Sequence, residues 1–403
     1  MNLFRSIYNK SKASARTCID KVQFKIGRFK KSRIVRPETE GVKVYTVKEP
    51  TIEQVPINKV YGFIKDGSFS VEYPEINLWK FKNATVVGRT DFVFLESGNV
   101  YWKKYFAYNY SKNFPSDKLY YCEKDGFVYT RKPKGNLHVE NAFSLLGVHA
   151  QIWSHSLSEY FTKISVIDKA LDDCKTKITV LVPNYTDQQL KQIMYSALEE
   201  FKNIEVLVVD DEIAVTADVL YYMDRPTTFT DHEFSVSIGD DVQPKVVADI
   251  IKEKLVKPTL SKIDCTRKPI KLYLPRRGFG RNVTNFQELE DYFKSEGFVF
   301  MEEPHKMSLE EKVAMFNSAE VIVGPFGSAF SNIIFCKPNT KMLLFSNYSR
   351  HYEAWLCMHQ KYFDLKLLWV TGFDDKTARN LSHCSYYVPI EKVKAAYKQL
   401  LNE

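Results

Sequence analysis

Cysteine is sparse and badly spaced in this chain: seven residues, at 18, 122, 174, 265, 336, 357 and 384, an odd number with no Cys-x-x-Cys pair. That pattern argues against a disulfide framework and a cysteine zinc site, and predicts reduced, mostly buried thiols. No window approaches the ~20 apolar residues of a membrane-spanning helix, and the first residues lack the uninterrupted apolar run of a secretion signal. Glycine and proline number 16 each, too few for a fibrous or low-complexity chain. Neither the dinucleotide fingerprint nor the GxxxxGK[ST] phosphate loop is present, so hydride transfer and ordinary ATP hydrolysis fall behind. No Asp-x-Asp pair stands in a suitable loop, since Asp210-Asp211 ends a strand and Asp374-Asp375 comes late. No metal is therefore expected.

What is present is an ordinary folded composition, 44% hydrophobic and 26% charged over 403 residues, long enough for two or three compact units. The 24 Tyr and 28 Phe are spread along the chain, as cores and half-buried strands require. The net charge of +8 favours contact with phosphates or anionic lipid. Only the first 35 residues are one-sidedly basic, with Phe4, Ile7, Phe24, Ile26 and Phe29 set among Arg5, Lys10, Lys12, Arg16, Lys21, Lys25, Lys30 and Lys31. This lead-in reads either as a solvated terminus or as a peripheral contact with an anionic membrane. A cytoplasmic protein, associated with the inner membrane face in the second reading, is expected. Without a continuous basic stripe, nucleic acid is not expected as a partner.

Periodicity divides the chain into a basic lead-in (1–35), a strand-rich region (36–140), two α/β regions (141–262 and 263–388) and a final helix (389–403). Short apolar runs such as Val42 to Val47 and Phe92 to Leu95 predict strands, with a hairpin turn at Gly98-Asn99. A helix is expected over 151–165, then a buried strand at 178–182, an amphipathic helix through Leu190, Ile193, Met194, Ala197 and Leu198, and a strand at 204–209. After a turn-rich stretch and a helix from Pro244 to about Leu255, strands at 270–274, 298–301, 321–323, 342–345 and 365–370 alternate with helices. Asn285 with Glu288 and Ser308 with Glu311 have capping-box spacing. Such alternation predicts mostly parallel sheets covered on both faces. The stripe Val393, Ala396, Tyr397 and Leu400 marks the last helix, expected to return to the first α/β region.

Parallel sheets bind ligands beyond the carboxyl ends of their strands. Two loops fall there. Pro275-Arg-Arg-Gly-Phe-Gly-Arg281 supplies Arg276, Arg277 and Arg281, whose guanidinium groups suit bidentate contact with phosphate. Gly324-Pro-Phe-Gly-Ser-Ala-Phe-Ser-Asn332 offers close backbone approach at Gly324 and Gly327, and polar groups for ribose or sugar at Ser328, Ser331 and Asn332. Each loop alone also reads as ordinary surface.

Together they resemble the C-terminal signature of glycosyltransferase family 61. The family's strand, Arg-Arg loop and later Arg and Asn are matched by Arg276, Arg277, Arg281 and Asn285. A following stretch resembles Glu303-Pro-His-Lys-Met-Ser-Leu-Glu-Glu311, and the Gly-Pro-His-Gly-Ala segment is similar to Ala319 through Phe335. The family's His followed four residues later by an acid is matched by His155 and Glu159, although Tyr160-Phe-Thr-Lys163 departs from the Pro-Arg continuation. The likeness spans about 141–346 and is dense only in its last third. Phe326 stands where the family has His, and Ser328 where it has Ala.

The resemblance implies a GT-B-like fold of two facing Rossmann-like domains beside the strand-rich N-terminal region. It also implies a nucleotide-sugar donor, a glycan or lipid-linked glycan acceptor and inversion at the anomeric carbon, as in capsular or lipopolysaccharide-like synthesis. Glu159 would be the base, with His155 as its alternative or positioning partner. Arg276, Arg277, Arg281, Asn285, Glu303, Gly324, Gly327, Ser328 and Asn332 would hold the donor. A degenerate site, a noncatalytic nucleotide- or glycan-binding protein and a nucleotide-sugar epimerase are the competing readings.

Overall fold

A computed structural model describes residues 29–56, 59–62, 67–102, 120–122, 126–226, 228–229, 241–264, 266–277, 280–347, 359–374 and 384–402. Residues 1–28 of the basic lead-in lie outside these. The fold is mixed α/β, built on an eleven-stranded and a six-stranded sheet with two small two-stranded ones.

The large sheet begins with four parallel strands, in the spatial order Ile204–Val209, Ile178–Pro183, Gly135–Ser144 and Ile213–Met223. Ile178–Pro183 is buried throughout, as expected of an apolar run covered on both faces. Ile213–Met223, for which the sequence reading has no strand, pairs antiparallel with the long strand Ile76–Val87 and carries the sheet into the N-terminal strands. Gly135–Ser144 runs across residue 140, so the strand-rich region and the first α/β region share one sheet. The Gly98-Asn99 turn joins antiparallel Val93–Phe94 and Val100–Tyr101, with Gly98 at φ 85°, where a side chain would be strained.

The helix expected over 151–165 is irregular. An α-turn at Trp153–His155 widens to π geometry over Ser156–Tyr160 and tightens to 3-10 over Phe161–Val166 before Ile167–Cys174 resumes as α. Such changes of pitch within a helix recur at functional sites.

The smaller sheet follows the expected alternation. Val299–Phe300, Ile270–Tyr273, Ala319–Pro325, Lys341–Asn347 and Lys366–Asp374 are parallel in that order, and Tyr386–Tyr387 closes the edge antiparallel. The last helix, Ile390–Asn402, corrects its expectation. Its stripe of Val393, Ala396, Tyr397 and Leu400 packs with Phe345 and Leu368 of the smaller sheet and with Phe293 and Phe298 beside it, instead of returning to the first half.

The two sheets are tied by chain from both halves. Trp369 donates its N–H to the Lys59 carbonyl at 2.9 Å, and Tyr61 returns a bond to the Trp369 carbonyl at 2.8 Å. The Tyr362 hydroxyl bonds Glu53 of the hairpin made by Thr51–Pro56 and Ser68–Tyr73. Gln189, at the start of Gln188–Leu198, donates to the Pro304 carbonyl at 3.0 Å and is held in turn by Lys312.

Candidate active site

Strands Ile270–Tyr273 and Ala319–Pro325 are neighbours, with Tyr273 opposite Val323 and the Leu274 N–H bonded to the Val323 carbonyl at 2.8 Å. Their carboxyl-end loops therefore leave the sheet side by side. Gly324, at φ 159°, comes so close to the Leu274 carbonyl that an added Cβ would fall well inside 3.0 Å of it. At Gly327 the obstruction is different: a Cβ would collide with Nη1 of Arg276. The guanidinium thus lies directly on the Gly327 backbone, steadied by a 3.1 Å bond from Nε to the Gly280 carbonyl.

After Gly327 the chain forms a 3-10 helix, Ser328–Phe335. Ser328 is exposed, while Ser331 and Asn332 are buried. Asn332 donates to the Ala329 carbonyl at 2.9 Å, but its Oδ1 and the Ser331 hydroxyl have no hydrogen-bond partner among the described residues. Buried polar atoms left in this way cost free energy unless something else satisfies them. Phe326 is buried against Trp369, ring centroids 5.4 Å apart, and the Arg281 guanidinium carbon stands 5.9 Å from its ring centroid. Arg281 itself takes left-handed backbone, φ 68°.

Three other donor-side candidates are engaged elsewhere. Arg277 bonds Glu290 at 2.7 Å and Glu302 at 3.5 Å, with Phe286 beneath it at 5.1 Å. Asn285 precedes the helix Phe286–Ser295 but makes no side-chain cap to its backbone. Instead its carboxamide donates to the Val388 carbonyl at 2.8 Å and accepts from the Val388 N–H at 3.1 Å, because Tyr386–Val388 runs alongside. Glu303 is exposed and paired with Lys306 at 2.8 Å. Ser308 does cap its helix, accepting from the Glu311 N–H at 3.1 Å.

On the facing side, the turn Trp153–His155 packs against Ser328–Phe335. Lys312, from the helix Leu309–Ser318, places Nζ 3.3 Å from the centroid of the Trp153 ring. His155 Nδ1 lies 2.6 Å from Glu159 Oε1. The π-helical widening turns Glu159 inward, where its side chain is 1% exposed against 29% for His155. Arg225, just beyond Ile213–Met223, pairs with Glu159 and reaches Asp91 at 3.4 Å. The Tyr160 hydroxyl donates to the other Asp91 oxygen at 2.9 Å. Asp224 accepts from Trp79 Nε1 at 3.1 Å, the Asn77 N–H at 3.0 Å and the Tyr101 hydroxyl.

Charge follows from these contacts. Burial would raise the pKa of Glu159, but Arg225 and then His155 override it and hold the carboxyl well below the usual carboxylate range. His149, its ring 4.7 Å from that of His155, is pushed down to about 4 by burial, His155 and Arg225. Burial also lowers Lys163 to about 8, although Asp91 opposes the shift. An ionised carboxylate only accepts hydrogen bonds, so His155 donates from Nδ1, and the neutral form of the ring carries its lone pair on Nε2.

Sequence reasoning missed Asp91, His149, Lys163 and Arg225. The available signal was slight: Asp224-Arg225-Pro226 closes an apolar run, and Gly88-Arg-Thr-Asp91 closes another.

The family model described as Glycosyltransferase 61 matches residues 153–343. The chain belongs to this family. The matched span of this family 61 member opens on the turn that carries His155 and closes within Lys341–Asn347, so it includes both carboxyl-end loops and Arg225 but not Asp91. Membership is consistent with sugar transfer in general. No curated protein matches the chain.

Proposed function

We propose that the protein is an inverting, metal-independent glycosyltransferase of GT-B-like arrangement. It moves a sugar from a nucleotide-sugar donor to a hydroxyl of a glycan or lipid-linked glycan acceptor in surface polysaccharide synthesis. The observation that carries this reading is the packing of the His155 turn against Ser328–Phe335, beside the Gly327 backbone on which Arg276 rests. That juxtaposition sets a general base against an anion-binding loop.

In the reaction the acceptor oxygen attacks the anomeric carbon as the bond to the diphosphate oxygen breaks. The electron pair leaves with the nucleotide diphosphate, and His155 Nε2 takes the acceptor's proton. Arg276 and Arg281 neutralise the departing charge. The backbone at Gly324 and Gly327, with Ser328, Ser331 and Asn332, holds the nucleotide sugar. Glu159 is the partner that orients His155, since a buried carboxylate paired with Arg225 is itself a weak base. We place the enzyme in the cytoplasm, with the basic residues before Phe29 as its contact with the anionic inner membrane face.

A panel of nucleotide sugars tests this by thermal stabilisation followed by transfer or slow hydrolysis, since a true donor stabilises only the folded state. His155→Ala is expected to lose roughly 10²- to 10⁴-fold in turnover while still binding the donor. Donor binding with no transfer by the wild type would favour the noncatalytic module, and conversion of the donor without an acceptor would favour the epimerase.

A further inference from the structure

The polar cluster behind His155 is costly to bury. Asp91, Glu159, Asp224, Lys163 and Arg225 are each at most 6% exposed. Buried ion pairs stabilise poorly compared with apolar groups of the same volume, so stability alone does not account for the cluster. Its members come from three parts of the chain: Asp91 from the N-terminal strands, Glu159 and Lys163 from the irregular helix, and Asp224 and Arg225 from beyond Ile213–Met223.

We infer that Arg225, held by Asp91, is a positioning residue for the transfer: it fixes Glu159 as an oriented, ionised acceptor for His155 Nδ1 and thereby sets how readily Nε2 takes the acceptor's proton. The inference rests on His155 being the base. The contacts form one chain, from Asp91 to Arg225 at 3.4 Å, from Arg225 to Glu159, and from Glu159 to His155 at 2.6 Å. Tyr160 bonds Asp91 and stands under Gly147, where an added Cβ would strike its ring, so the Asp91 end is anchored as well. Among the described residues, the charged and titratable groups around the His155–Glu159 pair include Lys163 on the same helical run, His149 on the preceding turn, Arg225 and Asp224 beyond the central strand, and Asp91 on the N-terminal loop. Lys312 meets the same turn through Trp153. Ser328–Phe335, packed against the turn, contributes no charged side chain.

Histidine ring titration by NMR in the full chain, with His155 assigned by His155→Asn, tests the link without a substrate. Arg225→Gln removes a cation and should raise the His155 midpoint by roughly one pH unit. Arg225→Lys should restore the wild-type midpoint while lowering turnover more than it changes KM, because a single ammonium cannot hold both carboxylates in the guanidinium geometry. A folded Arg225→Gln protein with an unchanged midpoint would overturn the inference. Should that variant fail to fold, Asp91→Asn decides: losing a carboxylate should lower the midpoint, and no movement would equally overturn it. Midpoints that move as expected while His155→Ala keeps full transfer would refute the base assignment and leave the electrostatic link standing.

Discussion

Nη1 of Arg276 occupies the space where a side chain at Gly327 would begin. Gly327 has extended backbone, φ −176°, which any residue adopts, and the obstruction is the end of a flexible side chain. Gly327→Ala should therefore fold with a stability change of less than about 1 kcal/mol, while displacing Arg276 and weakening nucleotide-sugar binding on the order of tenfold. Gly324→Ala meets the Leu274 carbonyl instead, and backbone cannot swing away. It should lose about 1–3 kcal/mol of stability. Denaturant unfolding and donor titration of both variants would separate the two cases.

The two adjacent arginines should behave differently. Arg276→Ala is expected to abolish most donor-induced thermal stabilisation. Arg277→Ala should leave it largely intact but cost roughly 1–3 kcal/mol in folding, because Glu290, 3% exposed, loses its cation. Equal losses of donor binding in the two variants would contradict the separation of roles.

Lys312 gives a pH dependence with a definite sign. Burial lowers it to about 7 in the fold from the ordinary lysine value of 10.5, with Asp187 opposing. Between these two values the unfolded chain binds the extra proton, so this group's contribution to stability is full above about 10.5 and is lost as pH falls towards 7. The slope is at most about 1.4 kcal/mol per pH unit. Lys312→Met should flatten the rise of Tm between pH 7 and 10 relative to wild type, measured by calorimetry in matched buffers.

Phe326→His introduces the side chain that the resemblance to family 61 implies at this position. Because Phe326 packs on Trp369 in the core, the change should cost about 1–3 kcal/mol. If His at this place only binds the donor, turnover with the natural donor should fall and no new base should emerge in the pH profile.

The alternation of the second half was legible because strands such as Lys341–Asn347 and Ala319–Pro325 are apolar runs bounded by turn residues. The His155 to Glu159 spacing was legible as a pair but not as a buried one. Four-residue spacing places two groups on one helical face, and only the π-helical widening turns one of them inward. Arg277 and Arg276 are indistinguishable as neighbours in sequence. They separate because Glu290 and Glu302, remote along the chain, claim one of them. Arg225 was hidden because Ile213–Met223 must first be recognised as the central strand before the residue after it has a place beside Glu159.

That last dependence bears on how related sequences are expected to vary. Asp91, Trp79 and Tyr101 lie in a region without a family signature, yet they reach the polar cluster behind His155 directly or through Asp224. Among relatives sharing this sheet, these few positions should change together with Asp224 and Arg225, while their neighbours drift freely.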